Sequence, residues 1–300
     1  MDFNGDGYAD LYASVPDGTV PGLKKAGYLV VYPGDAKGVS PARRHVINQN
    51  TPGVPGAAAV NARFGGGTTA DIDRDGDTDL LVTAGAGRRI ILFGGKQSLG
   101  TRSVEFQSKG YALGDFDGDG RTDAAGVESG DWSGKVVLEE GIGADGSVAS
   151  TRTALTVDDG VAVLERVQAV DIDNDGKDDL LVRTGCSDEP DCDSTQLYLS
   201  TGTGFTHTPI AAAPGIYLSH SSVTVGSANG DAYPDLVFTR QPTGMDSDLD
   251  FPSKRGAVAV VYVWLFKGSR TGPVTKGSVS FGESSLGVKP SAVCFGHWLG

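Results

Sequence analysis

Apolar residues in this chain come in short runs, each set off by glycine, proline or a cluster of acids. DLLVTAG from Asp79 and DLLVRTG from Asp179 are of this kind, and their length and boundaries predict short buried strands. After Asp71 the pattern resolves into four segments: LLVTA, RRIILFG, SVEFQ and GYALG, the last leading into the next acidic cluster. The same order recurs as DLYAS, GYLVVYPG and RRHVI near the N-terminus, and as DLLVR, TQLYLSTG and GFTHTP after Asp171. The longest apolar run, AVAVVYVWLF from Ala257, predicts one or two buried strands and falls short of the roughly 18 residues of a membrane-spanning helix. No basic segment followed by an apolar stretch opens the chain, so no signal peptide is visible.

The acidic clusters are themselves a repeat. DFNGDGYADL from Asp2 returns as DIDRDGDTDL from Asp71, DFDGDGRTDA from Asp115 and DIDNDGKDDL from Asp171, with a weaker copy, SANGDAYPDL, from Ser227. The intervals of 69, 44, 56 and 56 residues are those of propeller blades or repeat arrays. Forty-five glycines and 14 prolines in 300 residues add many turns and argue against long helices.

Charge sharpens the picture. The formal net charge is -13, and 31 of the 38 acids are Asp, 17 of them at positions 1, 3, 5 and 9 of the five clusters. Short rigid loops around a cation favour the shorter acid. Carboxylate or amide oxygens at positions 1, 3 and 5, a backbone carbonyl at position 7 and a carboxylate at position 9 form the hard oxygen set that calcium takes. The expected ligands are therefore Asp2, Asn4, Asp6, Tyr8 and Asp10; Asp71, Asp73, Asp75, Asp77 and Asp79; Asp115, Asp117, Asp119, Arg121 and Asp123; Asp171, Asp173, Asp175, Lys177 and Asp179; and Asn229, Asp231 and Asp235. Four or five structural calcium ions are expected, the fifth loop having lost its first acid and its glycine. No His or Cys joins the set, which argues against zinc and copper. An acidic surface of this kind repels nucleic acid and anionic lipid.

An EF-hand shares the first six positions but needs Glu at position 12 between helices; here position 12 is Ala13, Val82, Gly126 or Val182. The loop instead joins strand to strand. The plain alternative, that Asp, Asn and Gly only make good turns, would crowd up to four like charges together with nothing to offset them.

Four antiparallel strands per repeat make a blade, and the fold class expected is all-β, a β-propeller occupying 1–300 as one domain. The acidic loop, Phe64-Gly65 seven residues before Asp71, and the strand GYLVVYPG together resemble FG-GAP repeats, the units of integrin α-subunit heads and of many secreted bacterial proteins, often found beside VCBS-type repeats. The FG pair is clear at Phe64 and Phe295, and the fifth loop departs from the pattern. Integrin-like heads have seven blades, against five loops here. Two arrangements stand open: SAVCFGHWLG, within 288–300, closes a five-bladed ring with the N-terminal strands, or the chain is part of a longer array.

Long segments fall on the strand ends opposite the acidic loops: 15–27, 48–62, 185–194 and 241–256. They are the expected binding surface, since irregular loops on a rigid scaffold carry recognition, and the resemblance implies the same face. Cys186 and Cys192 are spaced to close a small disulfide suited to an oxidising compartment, and Cys294 stands in an apolar strand. His45, His207, His220 and His297 are isolated, and no HExxH, G-x-S-x-G, Walker or Rossmann motif occurs. The function expected is a non-catalytic, monomeric, extracellular or cell-surface adhesion or ligand-binding module with an unidentified protein or glycan ligand. The alternative is a carbohydrate-active propeller, a polysaccharide lyase or hydrolase or its accessory domain.

Overall fold

A computed structural model describes residues 1–96, 99–130, 133–157, 163–185, 194–208, 210, 221–226, 231–240, 262–267, 269 and 274–281. The chain is all-β, with one 3-10 turn at Pro41–Arg43 among these residues. Strands β1 (Leu11–Val15), β2 (Tyr28–Tyr32) and β3 (His45–Ile47) form a three-stranded sheet. Four-stranded sheets follow: β4 (Gly65–Ala70), β5 (Asp79–Thr83), β6 (Arg89–Phe93) and β7 (Arg102–Phe106); then β8 (Ala112–Gly114), β9 (Asp123–Ser129), β10 (Gly134–Glu140) and β11 (Ser150–Val157). Next come β12 (Val163–Val170), β13 (Asp179–Gly185), β14 (Ser194–Ser200) and β15 (Phe205–Thr208), and last β16 (Ser221–Gly226), β17 (Asp235–Arg240), β18 (Tyr262–Lys267) and β19 (Val274–Phe281). Each sheet is a meander in chain order, the blade of a β-propeller.

The blades divide differently from the grouping drawn on the sequence. GYALG, expected to end its repeat, supplies β8, the first strand of the following sheet. The acidic loop decides this. It is a tight reversal, so the residue before it pairs with the position-9 acid: Ala70 with Asp79, Gly114 with Asp123, Val170 with Asp179 and Gly226 with Asp235. The strand entering a loop thus belongs to the same sheet as the strand leaving it.

Two compact units are distinguished: Met1–Asp115, Asp119–Gly126 and Val137–Thr153 form one, Phe116–Gly118, Val127–Val136 and Ala154–Gly300 the other. In the first unit the run in β5 is buried on both sides, because successive side chains of a strand point to opposite faces. Leu80 and Val82 join Phe3, Leu29, Val31 and Phe64 in one cluster, while Leu81 joins Ile72, Phe106, Leu113 and Ala124 in another. β6 divides likewise, Ile90 and Leu92 to the first and Ile91 and Phe93 to the second. Burying such a side chain contributes about 1.5–3 kcal/mol, which is why these strands carry no polar alternation. In the second unit Val170, Ile172, Leu181, Leu197 and Leu236 form a core of their own.

Phe64 is fully buried, and Gly65 after it passes so close to β1 that a Cβ would lie 2.5 Å from the Ser14 hydroxyl oxygen. That hydroxyl accepts the Gly66 N–H at 2.6 Å. The FG pair is therefore an anchor followed by a point of close approach between neighbouring sheets.

At the strand ends away from the acidic loops, the β1–β2 connection and the segment entering β4 interlock. The N–H groups of Asn61, Arg63 and Phe64 donate to the carbonyls of Lys24, Lys25 and Ala26 at 3.1, 2.9 and 2.8 Å, and Arg63 pairs with Asp17 at 3.2 Å. The expected long segments 15–27 and 48–62 are thus joined there. Residues 186–193 and 241–256 lie outside the described residues, as does 288–300.

Candidate metal centre

Each acidic loop is wound around its first carboxylate. Asp71 accepts the N–H of Asp75 and of Gly76, both at 3.1 Å, and Asp171 accepts those of Asp175 and Gly176 at 3.0 Å. Asp2 accepts Gly7 N–H at 2.8 Å and Asp115 accepts Gly120 N–H at 2.7 Å. Such tight winding requires left-handed backbone twice per loop. The position-6 glycines Gly7, Gly76, Gly120 and Gly176 have φ of 83, 92, 79 and 88°. Position 4 is left-handed too, in Gly5, Arg74, Gly118 and Asn174 at φ of 65, 63, 78 and 56°, although two of these are not glycine.

The position-9 acids Asp10, Asp79, Asp123, Asp179 and Asp235 are buried. In the second loop one Asp79 oxygen accepts Ile72 N–H at 2.7 Å and the other accepts Gly94 N–H, across the β6–β7 hairpin, also at 2.7 Å. Asp10 does the same with Phe3 and Gly34, at 2.8 and 2.7 Å, and Asp179 with Ile172 and Ser200, at 3.0 and 2.8 Å. Asp123 accepts Gly141 N–H at 2.7 Å. Position 9 is thus a structural tie as well as a candidate ligand. Position 2, unremarked in the sequence, places Phe3, Ile72, Phe116 and Ile172 wholly in the core and pins each loop down beside its acids.

The structure gathers three sets of carboxylate oxygens within 4.8 Å of one another: Asp71, Asp73 and Asp79; Asp115, Asp117 and Asp123; Asp171, Asp173 and Asp179. The position-5 acids lie alongside and accept the amide two residues on: Asp75 from Asp77, Asp119 from Arg121 and Asp175 from Lys177, at 2.9, 2.7 and 2.9 Å. In the first loop Asp6 accepts Tyr8 N–H at 2.9 Å, and Asn4 Oδ1 accepts Asp6 N–H at 3.0 Å. In the fifth, Asn229 lies outside the described residues, while Asp231 is exposed and accepts Tyr233 N–H at 2.9 Å. Lys177 turns its ammonium onto Asp175 Oδ2 at 2.5 Å.

Oδ1 of Asp73 and Oδ1 of Asp173 are buried with no hydrogen-bond partner. A buried carboxylate oxygen left unmatched is costly, and here both belong to clusters of like charge. Burial pushes Asp79 up to about 6 and Asp179 up to about 7, aided by Asp75 and Asp71 in the first case and by Asp173 and Asp171 in the second. Asp173 is raised by burial and by Asp175 and Asp171, and Asp77 by burial and by Asp75, Asp2 and Asp71. The donor set is wholly oxygen, and the inner oxygens of Asp73 and Asp173 have no hydrogen-bond partner: these residues fit a hard divalent cation.

Neighbouring loops in the first unit are stitched together. Thr78 accepts Asp2 N–H at its hydroxyl, 3.0 Å, and donates its own N–H to the Asp2 carbonyl at 2.7 Å; the Thr122 hydroxyl donates to the Asp71 carbonyl at 3.0 Å. Elsewhere in this unit a groove of about 280 Å³ is lined by Glu105, Ser108, Glu139, Asp145 and Ser147 among others. Its Asp145 accepts both the hydroxyl and the N–H of Ser147, at 2.6 and 3.0 Å, which hold its carboxyl below the usual range. Glu139 accepts Gly110 N–H at 3.2 Å. Cys186, Cys192, Cys294, His220 and His297 lie outside the described residues.

Compared with known protein families, residues 2–32 match the FG-GAP repeat and residues 171–238 match the FG-GAP-like repeat. Among curated proteins, none matches this chain.

Proposed function

We propose that this FG-GAP-repeat β-propeller protein is a calcium-clamped, non-catalytic module that works outside the cell and binds a protein or glycan ligand on the face away from its acidic loops. The observation that carries the reading is the pair of buried, unpartnered oxygens, Asp73 Oδ1 and Asp173 Oδ1, each set among carboxylates that converge within 4.8 Å. Positions 1, 3 and 9 would hold the ion, with position 5 and the position-7 carbonyl completing an oxygen cage of the size and number calcium prefers to magnesium. Bound calcium supplies positive charge to the cluster. Everything else is the work of the chain: position 1 winds the loop, position 2 roots it in the core, and position 9 ties it to the next hairpin.

Clamping fixes the spacing of the strands and hence of the loops at their far ends, where 15–27 and 48–62 interlock. Recognition by rigidly held loops favours this face. Extracellular calcium is abundant enough to fill modules of modest affinity, and the Cys186–Cys192 spacing suits an oxidising compartment.

The test is a glycan array and surface-protein capture, run with calcium and with chelator, on the wild type and on variants with 16–26 or 241–256 replaced by Gly-Ser linkers. Capture that needs calcium and is lost on loop replacement supports the reading. Release of reducing ends or unsaturated products from any polysaccharide would contradict it in favour of a carbohydrate-active propeller.

A further inference from the structure

The second acidic loop carries a cation of its own. In the β6–β7 ladder Phe93 stands opposite Arg102, and the Arg102 guanidinium lies 3.8 Å from the centre of the Phe93 ring. From there it pairs with Oδ2 of Asp73, whose side chain is only 8% exposed, while Oδ1 of the same carboxylate is the buried oxygen without a partner. The two oxygens of Asp73 are thus divided, the outer one to Arg102 and the inner one to the cluster with Asp71 and Asp79. The fourth loop offers a comparison within the same chain. At the corresponding cross-strand pair it has Leu199 and Thr206, neither of them charged. Asp173 Oδ1 is as buried and unpartnered as Asp73 Oδ1, while the cation of that loop, Lys177, pairs with Asp175 at 2.5 Å.

An ion pair between two exposed side chains would mean little. Here one partner is buried and the other is fixed in place by stacking on an aromatic face, so its charge stays beside the acids.

We propose that Arg102 is a tethered counter-ion that holds the second loop together without metal and lowers that loop's own affinity for calcium. The inference rests on the calcium reading given above. Both effects follow from one fixed positive charge. It offsets the repulsion among Asp71, Asp73 and Asp79 when no ion is present, and it repels a divalent cation that arrives at Asp73 Oδ1. The second loop therefore keeps its shape when calcium is withdrawn and fills at higher calcium than it would without Arg102.

The test is calcium titration against a competing chelator, with melting curves in chelator, for the wild type, Arg102→Gln, Arg102→Lys, Asp73→Asn and the double variant Arg102→Gln/Asp73→Asn. Arg102→Gln is expected to melt lower in chelator and to tighten one of the wild type's calcium sites roughly three- to tenfold, the scale of one nearby, partly screened charge. That gain is expected to vanish in the Asp73→Asn background, as a direct coupling requires. Arg102→Lys, which keeps the charge, is expected to bind as the wild type does, and it carries the test if the Gln variant folds poorly in chelator. A Gln variant with unchanged or weakened calcium binding, or a Lys variant that binds as tightly as Gln, would overturn the proposal. If the wild type takes up calcium and only the variants disobey, the calcium reading stands and this inference alone falls; if the wild type takes up none, both fall.

Discussion

Asp79 accepts the N–H of Gly94 across 15 residues of chain while its other oxygen accepts the N–H of Ile72, each at 2.7 Å, so one buried side chain fastens an acidic loop to the hairpin beside it. The amide of an Asn in its place would accept from one of these donors and face the other with a donor of its own. Asp79→Asn is therefore expected to lose about 2 kcal/mol, the cost of an unmatched buried group, measured by urea unfolding. In chelator at neutral pH the loss should shrink, because Asn also removes the buried charge that Asp75 and Asp71 repel.

Position 4 gives paired predictions of opposite sign. Arg74 sits at φ 63°, where a residue with a Cβ is strained, and Arg74→Gly is expected to stabilise by about 1 kcal/mol. Gly5 has nearly the same backbone, but its missing Cβ would fall 2.1 Å from Asp77 Oδ1. Gly5→Ala is expected to destabilise by about 1–2 kcal/mol from backbone strain alone, with the contact against the second loop added. Melting curves at fixed calcium distinguish the two.

Chelator-stripped protein should lose stability as pH rises. Asp79 and Asp179, at about 6 and about 7 when folded, lie above the roughly 3.9 of an unfolded Asp. The folded state thus binds their protons more tightly, and this contribution is fully present below about pH 4 and disappears as pH climbs through 6 and 7. Saturating calcium should abolish that fall by holding the carboxylates ionised. Melting temperatures at pH 5 and pH 7.5, with and without calcium, check both statements, and an unchanged stripped protein would contradict them.

Ile72 is buried to 1% exposure beneath its loop. Ile72→Ala is expected to cost about 2–5 kcal/mol by leaving a cavity and, because the neighbouring acids lose their footing, to weaken calcium uptake at the second loop. A stability loss with calcium uptake intact would show that position 2 serves the core alone.

Much of this was legible in the chain. The D-x-[DN]-x-D-G-x-x-D spacing marks the loops, and short apolar runs bounded by glycine mark the strands, since both are local patterns. The division of blades was not, because GYALG reads alike whether it ends one sheet or begins the next; only the pairing of Gly114 with Asp123 across the loop decides. The second role of Asp79 escaped because its partner Gly94 is a backbone amide, which any residue would offer. Phe3, Ile72, Phe116 and Ile172 did carry a signal, an apolar residue at position 2 amid acids in every good copy. Left-handed position 4 carried little, being Gly, Arg, Gly and Asn in turn. Arg102 lies 29 residues beyond Asp73, and nothing local joins them.

The central claim is that the acidic loops are calcium clamps. It is tested most directly by calorimetric titration of calcium into chelator-stripped protein, with melting curves alongside. The account predicts uptake of about four or five ions, with a melting temperature that rises with calcium as ligand binding to the folded state requires. No uptake and no shift would mean that the loops are turns built from Asp and Gly, and the metal account would fail.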